Sequence, residues 1–156
     1  MITFPFVKVL ELDGTFVEPA IERFRDFVYL RIAPELFEAE GVVREAILFS
    51  GGSPRELLRL LQHAAYQVEP QESRISRQAL LQGIEYLSAD ARTLSPLELN
   101  ILKTIKENNA RGVPTPYIDG MQRLLENVFI MGYNDGTYKR ANPIIEHSST
   151  YRHYVG

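Results

Sequence analysis

The chain has 156 residues, 45% hydrophobic and 24% charged, a composition that fits one globular domain or two small ones. It has no cysteine, which excludes a disulfide framework and thiolate chemistry, and its three histidines (His63, His147, His153) lack ligand spacing, which argues against zinc. The net charge of −3 divides into −4 over residues 1–93 and +1 over residues 94–156, so neither half carries the concentrated basic patch of a dedicated nucleic-acid binder.

Phe4 to Leu12 reads as a strand buried on both faces, because its apolar residues leave little polar alternation. Asp13-Gly14 is a turn signal. Val17-Glu18-Pro19 opens a helix to about Ile32, with Ile21, Phe24, Phe27, Val28 and Ile32 at helical spacing. A lone strand cannot satisfy its backbone groups, and residues 13–93 offer no second one. The strand is therefore expected to pair with a partner's sheet or with a second copy. A second helix starts at Glu38 or Glu40 and carries Val42, Val43, Ala46, Ile47, Leu48 and Phe49.

Gly51 and Gly52 end that helix, since glycine takes the left-handed conformation of a C-cap. Ser53 is an N-cap residue, Pro54 suits the first helical position, and Glu56 stands where a capping box closes. Arg55 alone is out of keeping with this start. A cation in the first turn opposes the helix dipole by roughly 0.3–1 kcal/mol, whereas an anion held there gains from dipole, backbone N–H groups and guanidinium together. Arg59 and His63 extend the cationic stripe at four-residue steps. The third helix carries Leu57, Leu58, Leu60, Leu61, Ala64, Ala65 and Val68, a leucine stripe that reads as the core of a four-helix unit; a fourth starts at Ile75-Ser76 and carries Ala79, Leu80, Ile84, Tyr86 and Leu87.

Ser95-Pro96-Leu97-Glu98 repeats the capping pattern and marks a second domain, with the boundary near residues 90–93 and domains at 1–93 and 94–156. A helix follows to about Asn108. Pro114 and Pro116 break the connector, and Tyr117 to Asn127 reads as a helix again. Val128–Met131 and Tyr138–Ile145 flank Asp135-Gly136, the strongest short-range hairpin signal. Helices followed by a hairpin wing make a winged-helix module. Glu146 to Gly156 gives no clear element. No apolar run reaches the ~18–20 residues of a membrane span, and the N-terminus lacks the basic start and long apolar core of a signal peptide. A cytoplasmic protein without membrane contact is expected.

The order strand, turn, four helices with Gly51-Gly52-Ser53-Pro54-Arg55 opening the third, then a winged helix, resembles the C-terminal part of AAA+ and related signal-transducing P-loop ATPases. The five-residue segment is similar to their sensor-2 motif, Phe4–Val9 to the last strand of the ATPase core, and Asn142-Pro143-Ile144-Ile145 to the closing strand of the wing. The resemblance implies a mostly α protein: one N-terminal strand, a four-helix lid and a winged helix with a β-hairpin wing. It makes Arg55 the sensor-2 arginine reading the terminal phosphates, with Gly51, Gly52 and Ser53 setting the corner that aims it. No Gly-x-x-x-x-Gly-Lys-Ser/Thr occurs, and no strand ends in residues fit to hold magnesium. The chain alone is therefore expected to bind no cofactor and hydrolyse nothing, with ATP and magnesium implied only through an ATPase core. Its expected partner is that core or another protein.

Two other readings compete. A winged helix points to DNA, with Tyr117–Asn127 as the reading helix and Lys139 and Arg140 on phosphates, whereas Arg59, beside Arg55, is expected to assist it on phosphate or, preferably, to pair with an acidic neighbour. Against it, Arg123 is the reading helix's single cation, beside Asp119 and Glu126. The aromatics Phe129, Tyr133, Tyr138, Tyr151 and Tyr154 suit protein contact better. The third reading is an adaptor that dimerises through its N-terminal strand. Nucleophilic catalysis is disfavoured because no Gly-x-Ser-x-Gly elbow is present.

Overall fold

The computed structural model describes residues 6–11, 13–108, 118–133 and 138–156. These are mostly helical, with one two-stranded antiparallel sheet among them. The chain forms two compact units: Val7–Leu87, and Ser88–Gly156 together with Phe6. Among the described residues no helix is long and apolar enough to cross a membrane.

The first unit holds four α-helices: α1 (Glu18–Tyr29), α2 (Glu40–Phe49), α3 (Pro54–Tyr66) and α4 (Arg77–Ser88). α1 buries Ala20, Ile21, Phe24 and Val28 on one face and ends at Tyr29 rather than at Ile32. The next turn tightens to an i→i−3 bond, Arg31 N–H on Val28 O (2.9 Å), which ends the regular helix. Val43, Ala46, Leu57, Leu60, Leu80 and Ile84 are each completely buried. α3 and α4 approach closely at a glycine: a Cβ on Gly83 would lie 2.9 Å from the Ala64 nitrogen. The peripheral registers are charged. Arg44 grips Glu18 through two nitrogens (2.6 and 2.9 Å), and Arg77 grips Glu45 likewise (2.9 and 3.1 Å). Exposed pairs of this kind contribute roughly 0.2–1 kcal/mol each, so they fix register more than they stabilise.

The predicted N-terminal strand is corrected here. Its described residues join no sheet; Leu10 and Phe16 form one isolated antiparallel bridge across the Asp13-Gly14 turn. The backbone still finds partners inside the unit: Val7 N–H donates to Gly52 O (3.0 Å), Glu11 N–H to Thr15 O (2.9 Å), and Val17 N–H to Val9 O (3.0 Å). Of the described residues of this apolar run only Val9 is buried, at 3% exposed, while Val7 is 43% exposed, so the expected burial on both faces is not met. An adaptor dimerising through an orphan strand therefore loses its premise.

The second unit runs α5 (Pro96–Glu107), α6 (Ile118–Glu126), β1 (Ile130–Tyr133), β2 (Tyr138–Ala141), α7 (Pro143–Glu146) and α8 (Ser149–Tyr154). β1 and β2 pair antiparallel from Ile130↔Ala141 to Tyr133↔Tyr138. The Asp135-Gly136 turn and the Pro114/Pro116 connector lie outside the described residues. Ile101, Leu102, Leu124, Ile130 and Met131 anchor the core. Tyr133, Tyr138, Tyr151 and Phe129 are buried in that core too, so only Tyr154 of the five aromatics expected at a partner surface is exposed.

Residues 142–145 are the second correction. They do not extend β2: Asn142 caps a short helix, its Oδ1 accepting from Ile144 N–H (2.9 Å), with Pro143 at the first position. Asn142 also closes the end of α6. There Val128 stands at φ +58°, with Val128 N–H on Leu125 O (3.2 Å) and Phe129 N–H on Leu124 O (2.8 Å). This is a Schellman ending with valine where glycine is usual. A β-branched residue at positive φ is strained, and Asn142 Nδ2 donates to Val128 O (2.9 Å), holding it. Asn142→Ala is expected to lower stability by about 1 kcal/mol, the ordinary worth of such a cap, as read by urea denaturation.

Candidate functional site

The α2–α3 corner is built by four small residues and a proline. Ser50 ends α2, and its buried hydroxyl donates to Ile47 O and accepts from Gly52 N–H (3.2 Å). Gly51 and Gly52 follow at φ +62° and +83°, left-handed as expected of a helix end. Ser53 N–H donates to Ser50 O (3.2 Å), and the Ser53 hydroxyl accepts from Glu56 N–H (3.2 Å) to cap α3. Leu57 N–H closes the first helical bond on Ser53 O (2.9 Å). Pro54 has no N–H to satisfy.

At this start Arg55 is exposed and has no hydrogen bond or ion pair among the described residues. Its backbone N–H is likewise without a partner among them, whereas the N–H groups of Gly51, Gly52, Ser53, Glu56 and Leu57 are all taken. The helix end therefore offers one free N–H and one free guanidinium, fewer donors than the sequence implied. Glu56, the single carboxylate of α3, is buried at 3% exposure, and Arg59 lies 3.6 Å from it. That pairing gives Arg59 a structural role behind Arg55.

A control lies within the chain. Ser95-Pro96-Leu97-Glu98 starts α5 with the same cap, and there both arms of the box form: Glu98 N–H to Ser95 Oγ (3.2 Å) and Ser95 N–H to Glu98 Oε1 (3.0 Å). The position matching Arg55 is Leu97. The cap thus places no demand for arginine at its second helical residue.

Sequence reasoning missed the partner of Gly52. A Cβ there would lie 1.6 Å from Val7 O, so the extended segment packs backbone to backbone on the corner. The signal was available in the doubled glycine, since a C-cap needs only one. It also missed the aromatic group at the far end of α3, where His63 stacks on Tyr86 of α4 (centroids 4.9 Å, 24° between planes) and meets the edge of Tyr66 at 6.0 Å.

The cations predicted to touch phosphate in the second unit are mostly engaged. Arg140 is paired with Glu146 (3.3 Å), where burial opposes its charge and Glu146 restores it, leaving its pKa above the usual arginine value. Lys139 is half-buried on β2 and engaged. Arg123, the cation of the expected reading helix, bonds the Glu98 carboxylate, reaches Thr93 Oγ1 (3.3 Å) and lies over the Phe129 ring (5.7 Å).

No protein-family description matches the sequence, and no curated protein matches it. Among solved structures, two single-substitution variants of Thermotoga maritima RuvB, an AAA+ P-loop ATPase, are similar to it. Each is 18% identical, and the match covers 94% of this chain and 49% of RuvB, with TM-scores of 0.42 and 0.39. The chain thus spans about half the length of the RuvB chains it matches.

Proposed function

We propose that Val7–Leu87 is a nucleotide-sensing lid and Ser88–Gly156 a winged-helix protein-interaction part of a P-loop ATPase, with hydrolysis belonging to a core that supplies the phosphate loop and magnesium site. The observation that carries this is Arg55: an exposed arginine without a partner among the described residues, on a corner that two left-handed glycines and Ser50 hold in place. Its cap is matched by that of α5, which does without a cation. A planar, permanently charged fork suits phosphate oxygens, and the first turn of a helix adds a favourable dipole. Gly51, Gly52 and Ser53 shape the corner, and Arg59 backs it by pairing with Glu56.

The DNA reading is weaker on the same grounds. Arg123 and Arg140 are bound to carboxylates of their own unit, and freeing either for a phosphate would leave Glu98 or Glu146 without its partner.

The test is a titration of this chain with inorganic triphosphate, followed by amide NMR shifts. Weak saturable binding, in the millimolar range near −4 kcal/mol, is expected, with the largest shifts at Gly52–Glu56. In Arg55→Ala the affinity falls about tenfold or more, since a charge-assisted hydrogen bond is worth roughly 1.5–3 kcal/mol. Lys139→Ala leaves it unchanged. Shifts scattered over other cations, or an Arg55→Ala chain that binds as well as the parent, would remove the role.

A further inference from the structure

We propose that the backbone of Val7 positions Arg55, so that a displacement of the extended segment Val7–Val9 redirects the guanidinium while the four helices stay folded. What such a shift achieves rests on the phosphate-reading role of Arg55; the coupling itself rests on geometry alone.

Val7 meets the corner twice. Its N–H donates to Gly52 O at 3.0 Å, and its own carbonyl oxygen lies where a Gly52 Cβ would be, 1.6 Å away. With no side chain between the two backbones, there is nothing to absorb a small movement of one before it reaches the other. Two residues on, Val9 is 3% exposed, and its carbonyl accepts from Val17 N–H (3.0 Å). The segment is thus a strap fixed at Gly52 and at the start of α1. Val7 itself is 43% exposed, so one side of the strap is open.

From Gly52 the path to Arg55 is short and stiff. Gly52 N–H is pinned by Ser50 Oγ, Ser53 N–H by Ser50 O, and Ser53 in turn caps α3 through Glu56 N–H and Leu57 N–H. The body of α3 cannot follow a local push, because Leu57, Leu60 and Ala64 are completely buried. The two positive-φ glycines are where this backbone turns at least steric cost. A push on Val7 is therefore taken up at Gly51-Gly52 and delivered to the first turn of α3, where Arg55 stands.

The chain has no cysteine, so one introduced by Arg55→Cys takes a nitroxide label cleanly, and Gln62→Cys, an exposed site on the same helix, gives the reference. Val7→Pro removes the donor to Gly52 without adding bulk at the glycine. With helical circular dichroism retained, the label at 55 is expected to gain mobility about two-fold in Val7→Pro while the label at 62 is unchanged. No change at 55, or an equal change at both sites, overturns the coupling. Should Val7→Pro not fold, amide exchange of the parent chain decides. The Val7 and Ser53 amides are expected to open together, at one free energy lower than that of the Leu60 amide inside α3; independent opening, or opening only with Leu60, overturns it. None of these readouts involves phosphate. A failed triphosphate titration with a responsive label removes only the sensing role, and a successful titration with an unresponsive label removes only the strap.

Discussion

Gly52→Ala is expected to lower the stability of the Val7–Leu87 unit by about 3–5 kcal/mol, from three sources that add. The backbone stands at φ +83°, and an L-residue there costs roughly 1–2 kcal/mol. The new Cβ would overlap Val7 O at 1.6 Å, and because the obstacle is backbone, no rotamer relieves it. Val7–Val9 must then move away, losing the Val7–Gly52 hydrogen bond (about 0.5–1.5 kcal/mol) and part of the burial of Val9 (roughly 1.5–3 kcal/mol when complete). Gly14→Ala is the control: at φ +86°, with nothing within 4 Å of an added Cβ, it carries the conformational cost alone, roughly 1–2 kcal/mol. Urea denaturation of both variants by circular dichroism checks the contrast. Equal losses would mean that the strap yields freely and that the close approach is incidental.

The same corner shows what a sequence reveals and what it hides. Local chemistry was legible: Ser53-Pro54 and Ser95-Pro96 mark two helix starts because cap and fixed φ act within four residues. The hairpin was legible too, since the Asp-Gly signal stands between two strand-like runs, and β1 and β2 pair antiparallel on either side of it; their bounds, Ile130–Tyr133 and Tyr138–Ala141, were not. The failures share a different cause. Phe4 to Leu12 reads as a buried strand, yet of its described residues only Val9 is buried and Val7 is 43% exposed, because hydrophobic pattern alone does not say which apolar residues the fold covers. Ile144 and Ile145 look β-forming, but the Asn142-Pro143 pair before them is an N-cap and first helical residue, and the cap prevailed over propensity. The identities of the corner residues were readable. The engagement of Arg123 with Glu98 and the Val7–Gly52 contact were not, because each depends on groups that the fold brings together from distant parts of the chain, and the Arg140–Glu146 pair was not because it follows from the turn into α7, where the sequence reads as strand.

Glu98 carries the second large effect, and its sign follows from its surroundings. The side chain is 8% exposed. Burial alone would raise its pKa, but the Ser95 N–H and the Arg123 guanidinium favour the carboxylate and hold it below the usual glutamate range. A carboxyl group whose folded pKa is depressed stabilises the fold fully above its unfolded pKa, and that contribution disappears as pH falls through the folded value. Glu98→Gln keeps the shape and the acceptor oxygen but loses the charge. At pH 7 it is expected to cost about 2 kcal/mol, the scale of hydrogen bonds to a charged group. Below about pH 4.5 the parent chain loses the same contribution by protonation, so the two denaturation curves converge. Arg123→Ala is expected to cost less, because Arg123 is 45% exposed and Ser95 still holds the carboxylate. A gap between parent and Glu98→Gln that stayed constant from pH 7 to pH 3 would mean the loss is one of packing. In that case Arg123 would not be committed to Glu98, and the DNA-contacting reading of α6 would regain its cation.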